Sequence, residues 1–182
     1  MNDRLVDLAS ASAGLFTVGD AFFCGYDRQS LSRLATRGAI IRIGHGAYAE
    51  RESYAAASPE ERHRWATRAV VRRFENRVAA SHYSALALLG LPIWKARYDL
   101  VHVARTHAGR GRRSAGVQIH KDQGAGAYGL IDGAACVRPA VAVLGTAMVC
   151  GVEAGVIPRT PLLWAANIRS PKCDIGAPSG RR

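Results

Sequence analysis

Between Thr17 and Tyr48 the chain is cut by its own punctuation into two short helices and a hairpin, an order that few folds accommodate. Thr17 stands three residues before Asp20, the spacing of a capping box, so a helix is predicted over 18–24 with Gly25 as its stop. Asp27 caps a second helix over 28–36, in which Leu31, Leu34 and Ala35 share one face, and Gly38 ends it. The run AIIRIGHGAYA follows, two β-like pieces about a tight Gly44-His45-Gly46 turn. Upstream, residues 4–13 carry Leu5, Leu8 and Ala9 at helical spacing, closed by Gly14. Three helices, the last two joined by about three residues, and then a hairpin is the order of a winged helix-turn-helix.

The outer face of the third helix decides what such a module could do. Arg28, Gln29, Ser32 and Arg33 lie opposite the apolar stripe, and Arg37 follows at the helix end. Arginine suits guanine, glutamine suits adenine and serine suits phosphate, so this face fits a major groove. Arg42 and His45 fall on the wing. A plainer reading also stands, because arginine and serine keep any outer helix face wet and the same geometry serves protein–protein contacts.

Charge is informative by where it sits. The formal net charge is +11, which favours polyanionic partners. Residues 1–57 hold six basic and six acidic residues, whereas 58–123 hold thirteen basic and five acidic, a net of +8. Residues 124–182 hold six basic and three acidic, a net of +3. A neutral opening module with a basic middle suits one part that reads bases and another that grips phosphate.

That basic middle opens on a small-residue linker and a strong helix, capped by Ser58 with Pro59 at its first position. Ala66, Ala69, Val70 and Phe74 make its buried stripe, with Trp65 beside it. Arg64, Arg68 and Arg72 recur every four residues; Glu60 pairs with Arg64, while the later two have no acid on the helix. Arg68 and Arg72 are therefore candidate phosphate contacts, against the usual reading of a solvated face. Ser81 caps a short apolar helix that stops at Gly90. YDLVHVAR and AGVQIHKD read as strands joined by the loop THAGRGRRS, whose Arg110, Arg112 and Arg113 are candidates to grip a backbone. A hairpin about Asp132-Gly133, an apolar helix from Pro139 buried on most sides and a last helix from Thr160 complete the pattern.

The fold class expected is α+β. An N-terminal winged helix-turn-helix DNA-binding domain spans 1–57, a basic mixed α+β domain spans 58–168, and 169–182 is a disordered tail without periodicity. No run reaches the ~18 apolar residues of a membrane helix, and the N-terminus carries acids where a signal peptide is basic, so a cytoplasmic protein without membrane contact is expected.

Catalysis finds little footing. His82 and Ser84 are two apart on a helix, a spacing at which side chains do not face each other. His102 and His120 fall on neighbouring strands where two imidazoles could meet, but only Asp99, Asp122 and His107 are near enough in sequence to complete a zinc site. Acids are sparse after Asp122, with Asp132, Glu153 and Asp174 alone, so clustered carboxylates cannot be assembled there. Cys24, Cys136, Cys150 and Cys173 are scattered and form no C-x-x-C pair. No enzyme, metal or cofactor is expected.

The chain resembles the AbiEi family of antitoxins, the transcription-regulating half of type IV toxin–antitoxin systems. The likeness begins at GLFTVGDAFFCGYDRQSLSRLATRGAIIRIGHGAYA, including the R-x-G-x-G-x-Y wing of Arg42, Gly44, Gly46 and Tyr48. It continues through ASHYSALALLGLPIW, the strand pair LVHVAR and GVQIHK, and the helix VRPAVAVLGTAMVCGVEAGV, over about residues 14–157. The resemblance implies a repressor that binds double-stranded DNA at its own promoter, opposing a nucleotidyltransferase-like toxin encoded beside it. It assigns the DNA role to Arg28, Gln29, Ser32, Arg33, Arg42 and His45, and toxin antagonism to the second domain. Two alternatives remain: a protein-binding antitoxin module with little DNA specificity, or a stand-alone regulator of a phage or mobile element.

Overall fold

The computed structural model describes residues 1–157 apart from Ala13, His45, Lys95 and Ala115. The helix expected from Thr160 and the tail 169–182 lie outside the described residues. The described residues form a mixed α+β structure built around one three-stranded and one six-stranded sheet. Among the described residues no helix is long and apolar enough to cross a membrane.

The first part follows its capping signals. Helix α1 (Asp3–Ala11) starts at Asn2, whose side chain accepts from the Leu5 N–H. Strand β1 (Leu15–Thr17) leads straight into α2 (Val18–Phe23), where Thr17 and Asp20 form the reciprocal capping box that their spacing predicts. Helix α3 (Arg28–Thr36) is capped by Asp27, whose carboxylate accepts from the Ser30 N–H at 2.6 Å. Strands β2 (Ile40–Gly44) and β3 (Ala47–Glu50) pair antiparallel, with Arg42 opposite Tyr48. Strand β1 joins the other edge of β3, an addition to the expected hairpin. Leu5, Phe16, Ala21, Leu31 and Ile40 close the core beneath these elements.

Helix α4 (Arg51–Ala56) occupies the stretch expected to be a linker. Its Ser53 bonds Glu50, while Arg51 reaches back to the Gly38 carbonyl at 2.8 Å and so tethers the end of α3. Helix α5 (Pro59–Arg73) has the Ser58–Glu61 capping box. Its buried face is His63, Thr67, Ala69, Val70 and Val71, rotated from the expected stripe so that Ala66 and Phe74 are only partly buried. Ala69 packs with Leu15 and Ala47, so α5 lies against the first sheet as well as the second.

The larger sheet has the order β6-β7-β5-β4-β9-β8. Its strands are β4 (Val78–Ala80), β5 (Val101–Arg105), β6 (Arg112–Ser114), β7 (Val117–His120), β8 (Tyr128–Ile131) and β9 (Ala134–Val137). β5 and β7 run parallel, with His102 opposite Gln118 and Ala104 opposite His120. The loop expected to join them contains β6, which pairs antiparallel with β7 and forms the arginine-bearing edge of the sheet. The hairpin β8–β9 turns on Asp132 and Gly133, both with left-handed backbone (φ 47° and 76°), the conformation such a turn requires. Helix α6 (His82–Leu88) is buried along its whole length between the sheet and its neighbours. Helix α7 (Pro139–Cys150) and the short α8 (Val152–Val156) follow. Contrary to the expectation of near-complete burial, α7 exposes Leu144 and Met148, and α8 exposes Val152 and Val156. Only Ala142, Val143 and Thr146 of α7 are fully covered, because the helix meets the fold on a single side.

Candidate nucleic-acid interface

Helix α3 presents its polar side to solvent by simple geometry. Leu31 is buried and Leu34 and Ala35 pack against the core, so Arg28, Gln29, Ser32, Arg33 and Arg37 must project outward; all five are exposed. Gln29, Ser32, Arg33, Thr36 and Arg37 line one shallow hollow along this face. A second hollow joins the start of α3 to the hairpin and is lined by Val18, Arg28, Leu31, Arg42, Gly46 and Tyr48. The fold thus brings Arg28 and Arg42 to the same depression although fourteen positions separate them in the chain. His45, expected beside them on the wing, lies outside the described residues.

None of Arg28, Arg33, Arg37 and Arg42 forms an ion pair among the described residues. The nearest acid on the same helix is Asp27, whose carboxyl is held below its ordinary range by the Ser30 N–H and hydroxyl. The guanidinium groups are therefore available to an external acceptor without first breaking an internal pair.

The basic residues of α5 are placed differently. Arg68 donates to Asp132 at 2.6 Å, and its side chain is only 12% exposed. Arg72 donates to Asp20 at 3.2 Å and to the Ser12 hydroxyl at 3.1 Å. The sequence offered these arginines no acid on their own helix, and the tertiary fold supplies acids from the β8–β9 turn and from α2. An exposed pair contributes about 0–1 kcal/mol, so Arg72 can exchange Asp20 for a phosphate at little cost. Arg68 would first have to leave a largely covered position. Arg110, Arg112 and Arg113 are exposed on and before the edge strand β6, with Arg105 fixing the loop by donating to the Arg110 carbonyl at 3.0 Å.

A second polar constellation lies between α5, α6 and the larger sheet. His63 donates from Nδ1 to the Tyr98 carbonyl at 3.0 Å, which leaves Nε2 to accept from the Ser84 hydroxyl at 2.9 Å. Ser84 in turn accepts from the His102 N–H at 2.9 Å. Burial holds the His63 pKa below its ordinary value. Ser84 is wholly buried, so this serine–histidine pair ties α5, α6 and β5 together and offers no surface to a substrate.

Beyond it, His102 Nδ1 and His120 Nε2 meet at 2.9 Å, as neighbouring strands allow. His82 completes the group by stacking on His120 with ring centroids 3.8 Å apart. The third ring is His82, and not Asp99, Asp122 or His107, the residues that sequence proximity places beside the pair. Strand β4 feeds α6 across the sheet, and the Ser81 N–H bonds the His102 carbonyl, which delivers His82 to the strand pair. Helix α7 closes over it at Gly145, where a Cβ would stand 3.1 Å from the His82 ring. Burial and the neighbouring rings depress the pKa of His82 to about 3 and that of His102 to about 4; burial lowers that of His120.

Comparison with known families bears on the first of these two sites. The model of the family described as transcriptional regulator, AbiEi antitoxin, matches residues 3–51. Over that stretch the chain is similar to the AbiEi antitoxin family of transcriptional regulators. The matched stretch runs from the first residue of α1 to the first of α4, and so contains the α3 face and the hairpin. It ends before α5, so the larger sheet, its arginine edge and the histidine group lie outside the AbiEi match. No curated protein matches the chain.

Proposed function

We propose that this protein is a sequence-specific DNA-binding repressor of its own promoter, with α1–β3 acting as a winged helix-turn-helix. The observation that carries the reading is a set of exposed arginines without ion pairs among the described residues, spread over α3 and β2 within a stretch similar to a transcription-regulator family. In this reading α3 is the recognition helix: Arg28 and Arg33 seek guanine edges, Gln29 seeks adenine, and Ser32 and Arg37 take phosphate. Arg42, with His45, holds the wing on the adjacent backbone. A winged helix alone covers little DNA, so the basic residues of the larger domain add phosphate contacts. Arg110, Arg112 and Arg113 are the main contributors and Arg72 a further one; Arg68 serves chiefly as the partner of Asp132. The resemblance to the antitoxin family extends the proposal to opposition of a nucleotidyltransferase-like toxin encoded beside it.

Reversing Arg110, Arg112 and Arg113 to glutamate tests the phosphate role. Each lost phosphate contact lowers the slope of log K against log salt by about 0.9. Affinity for cognate and shuffled duplexes is expected to fall together, with the slope reduced by roughly two to three. Unchanged affinity and slope would remove this edge from the interface.

The exposed Leu144, Met148, Val152 and Val156 favour a second reading, in which the larger domain is a protein-binding antitoxin module whose apolar α7–α8 side receives the toxin. That reading predicts stoichiometric capture of the neighbouring gene product together with weak, sequence-indifferent DNA binding.

A further inference from the structure

We propose that His82, His102 and His120 form a binding site for a divalent transition metal, zinc above all, held by one ring nitrogen from each residue. A nitrogen of each ring lies within 4.8 Å of a nitrogen of each of the others. The three rings come from the start of α6, from β5 and from β7, so sheet register and helix packing, not a flexible loop, bring them together.

As a purely structural core, the arrangement is poor. The three imidazoles share a single ring-to-ring hydrogen bond, that between His102 and His120, while His82 Nδ1 meets the Ser81 hydroxyl at 3.1 Å and so leaves its Nε2 for a ligand. His102 is 2% exposed, yet its Nε2 is buried with no hydrogen-bond partner. An orphaned buried polar atom costs about 1–3 kcal/mol, and an apolar side chain of similar size would avoid that cost. His82 moreover holds a left-handed backbone, φ 52°, a conformation that costs a non-glycine residue roughly 1–3 kcal/mol. A cation held by His102 Nδ1, His120 Nε2 and a His82 nitrogen would replace the lone ring-to-ring contact by ligation and give three clustered imidazoles a common partner.

The donor set selects the metal. Imidazole without carboxylate suits zinc, copper, nickel and cobalt, and does not suit magnesium or calcium. Zinc–imidazole bonds of ~2.0–2.1 Å place tetrahedral donors about 3.3 Å apart. The 2.9 Å contact therefore has to open slightly while the widest separation closes, which side-chain torsions can accomplish. Three protein ligands leave a fourth position for water or an anion. His120 is the half-buried member of the group, the other two being buried.

The experiment uses untagged full-length chain stripped with a chelator, titrated with Zn²⁺ by calorimetry and with Co²⁺ by visible absorption. The expected result is one ion per chain, a tetrahedral Co²⁺ spectrum displaced by Zn²⁺, and a rise in the unfolding midpoint on adding zinc. His120→Gln, which keeps a polar group on a half-buried strand position, is expected to lose affinity by more than the roughly hundredfold seen for outer-shell changes, with its metal-free unfolding midpoint retained. His107→Ala, outside the group, is expected to bind as the parent does. Absence of the Co²⁺ spectrum in the parent, or equal binding by His120→Gln, would overturn the site. Either result leaves the DNA-binding reading standing.

Discussion

Replacing Arg28 and Arg33 together by alanine is expected to lower affinity for the cognate operator by roughly a hundredfold or more, while a shuffled duplex loses only several-fold. Two bidentate base contacts of about 1–3 kcal/mol each set the first figure. Loss of two charges near the backbone sets the second. Both side chains are exposed and form no ion pair among the described residues, so the fold should be indifferent to their removal. Circular dichroism and the unfolding midpoint are expected to stay at parental values. Fluorescence anisotropy on both duplexes separates the outcomes. A parallel loss on the two means that α3 touches phosphate without reading bases, and unchanged binding means that α3 does not face DNA.

In the metal-free chain, stability is expected to fall steeply between pH 6.5 and 5. His82 and His102 are neutral in the native state down to about pH 3 and 4 respectively, whereas in the unfolded chain both accept a proton near pH 6.5. Below pH 6.5 the unfolded state thus binds more protons than the native one, and acidification favours unfolding. The stabilisation is complete above that pH and is lost progressively towards the native values. Each such histidine contributes a slope of about 1.4 kcal/mol per pH unit, so the two together cost roughly 4 kcal/mol by pH 5. His63 and His120, also lowered by burial, act in the same direction. Against a typical stability of about 5–15 kcal/mol this is a large fraction. Urea unfolding at pH 7.5 and 5.0 with chelator present checks it; equal midpoints would mean that the imidazoles are not held neutral.

What was legible in the sequence was whatever local chemistry enforces. The Thr17–Asp20, Asp27–Ser30 and Ser58–Glu61 caps fix the starts of α2, α3 and α5 through side chains reaching backbone N–H groups three residues away, and each helix begins where its cap predicts. The outward face of α3 follows from Leu31, Leu34 and Ala35 turning inward. Short edge elements were hidden for a physical reason. β1 and β6 are three residues each, too few to show an alternation, and β6 is all polar and exposed because it is an edge. Long-range partners were hidden as well. Asp20 and Asp132 lie 52 and 64 positions from the arginines they bind, and nothing local marks them. His82 is the sharpest instance. Its neighbour Ser84 was weighed as a partner, but the left-handed backbone at His82 and the β4–β5 pairing send its ring to His102 and His120.

Whether α3 and its hairpin read a particular sequence with help from the basic edge is tested most directly by a salt titration. Binding of the full chain is measured on the duplex upstream of its own gene and on a shuffled duplex of equal length, from low to physiological salt. The upstream duplex is expected to win by about a hundredfold or more, with a salt slope reporting several phosphate contacts. Equal binding of the two duplexes at every salt concentration would contradict it, leaving the basic surface nonspecific and the protein-binding antitoxin reading ahead.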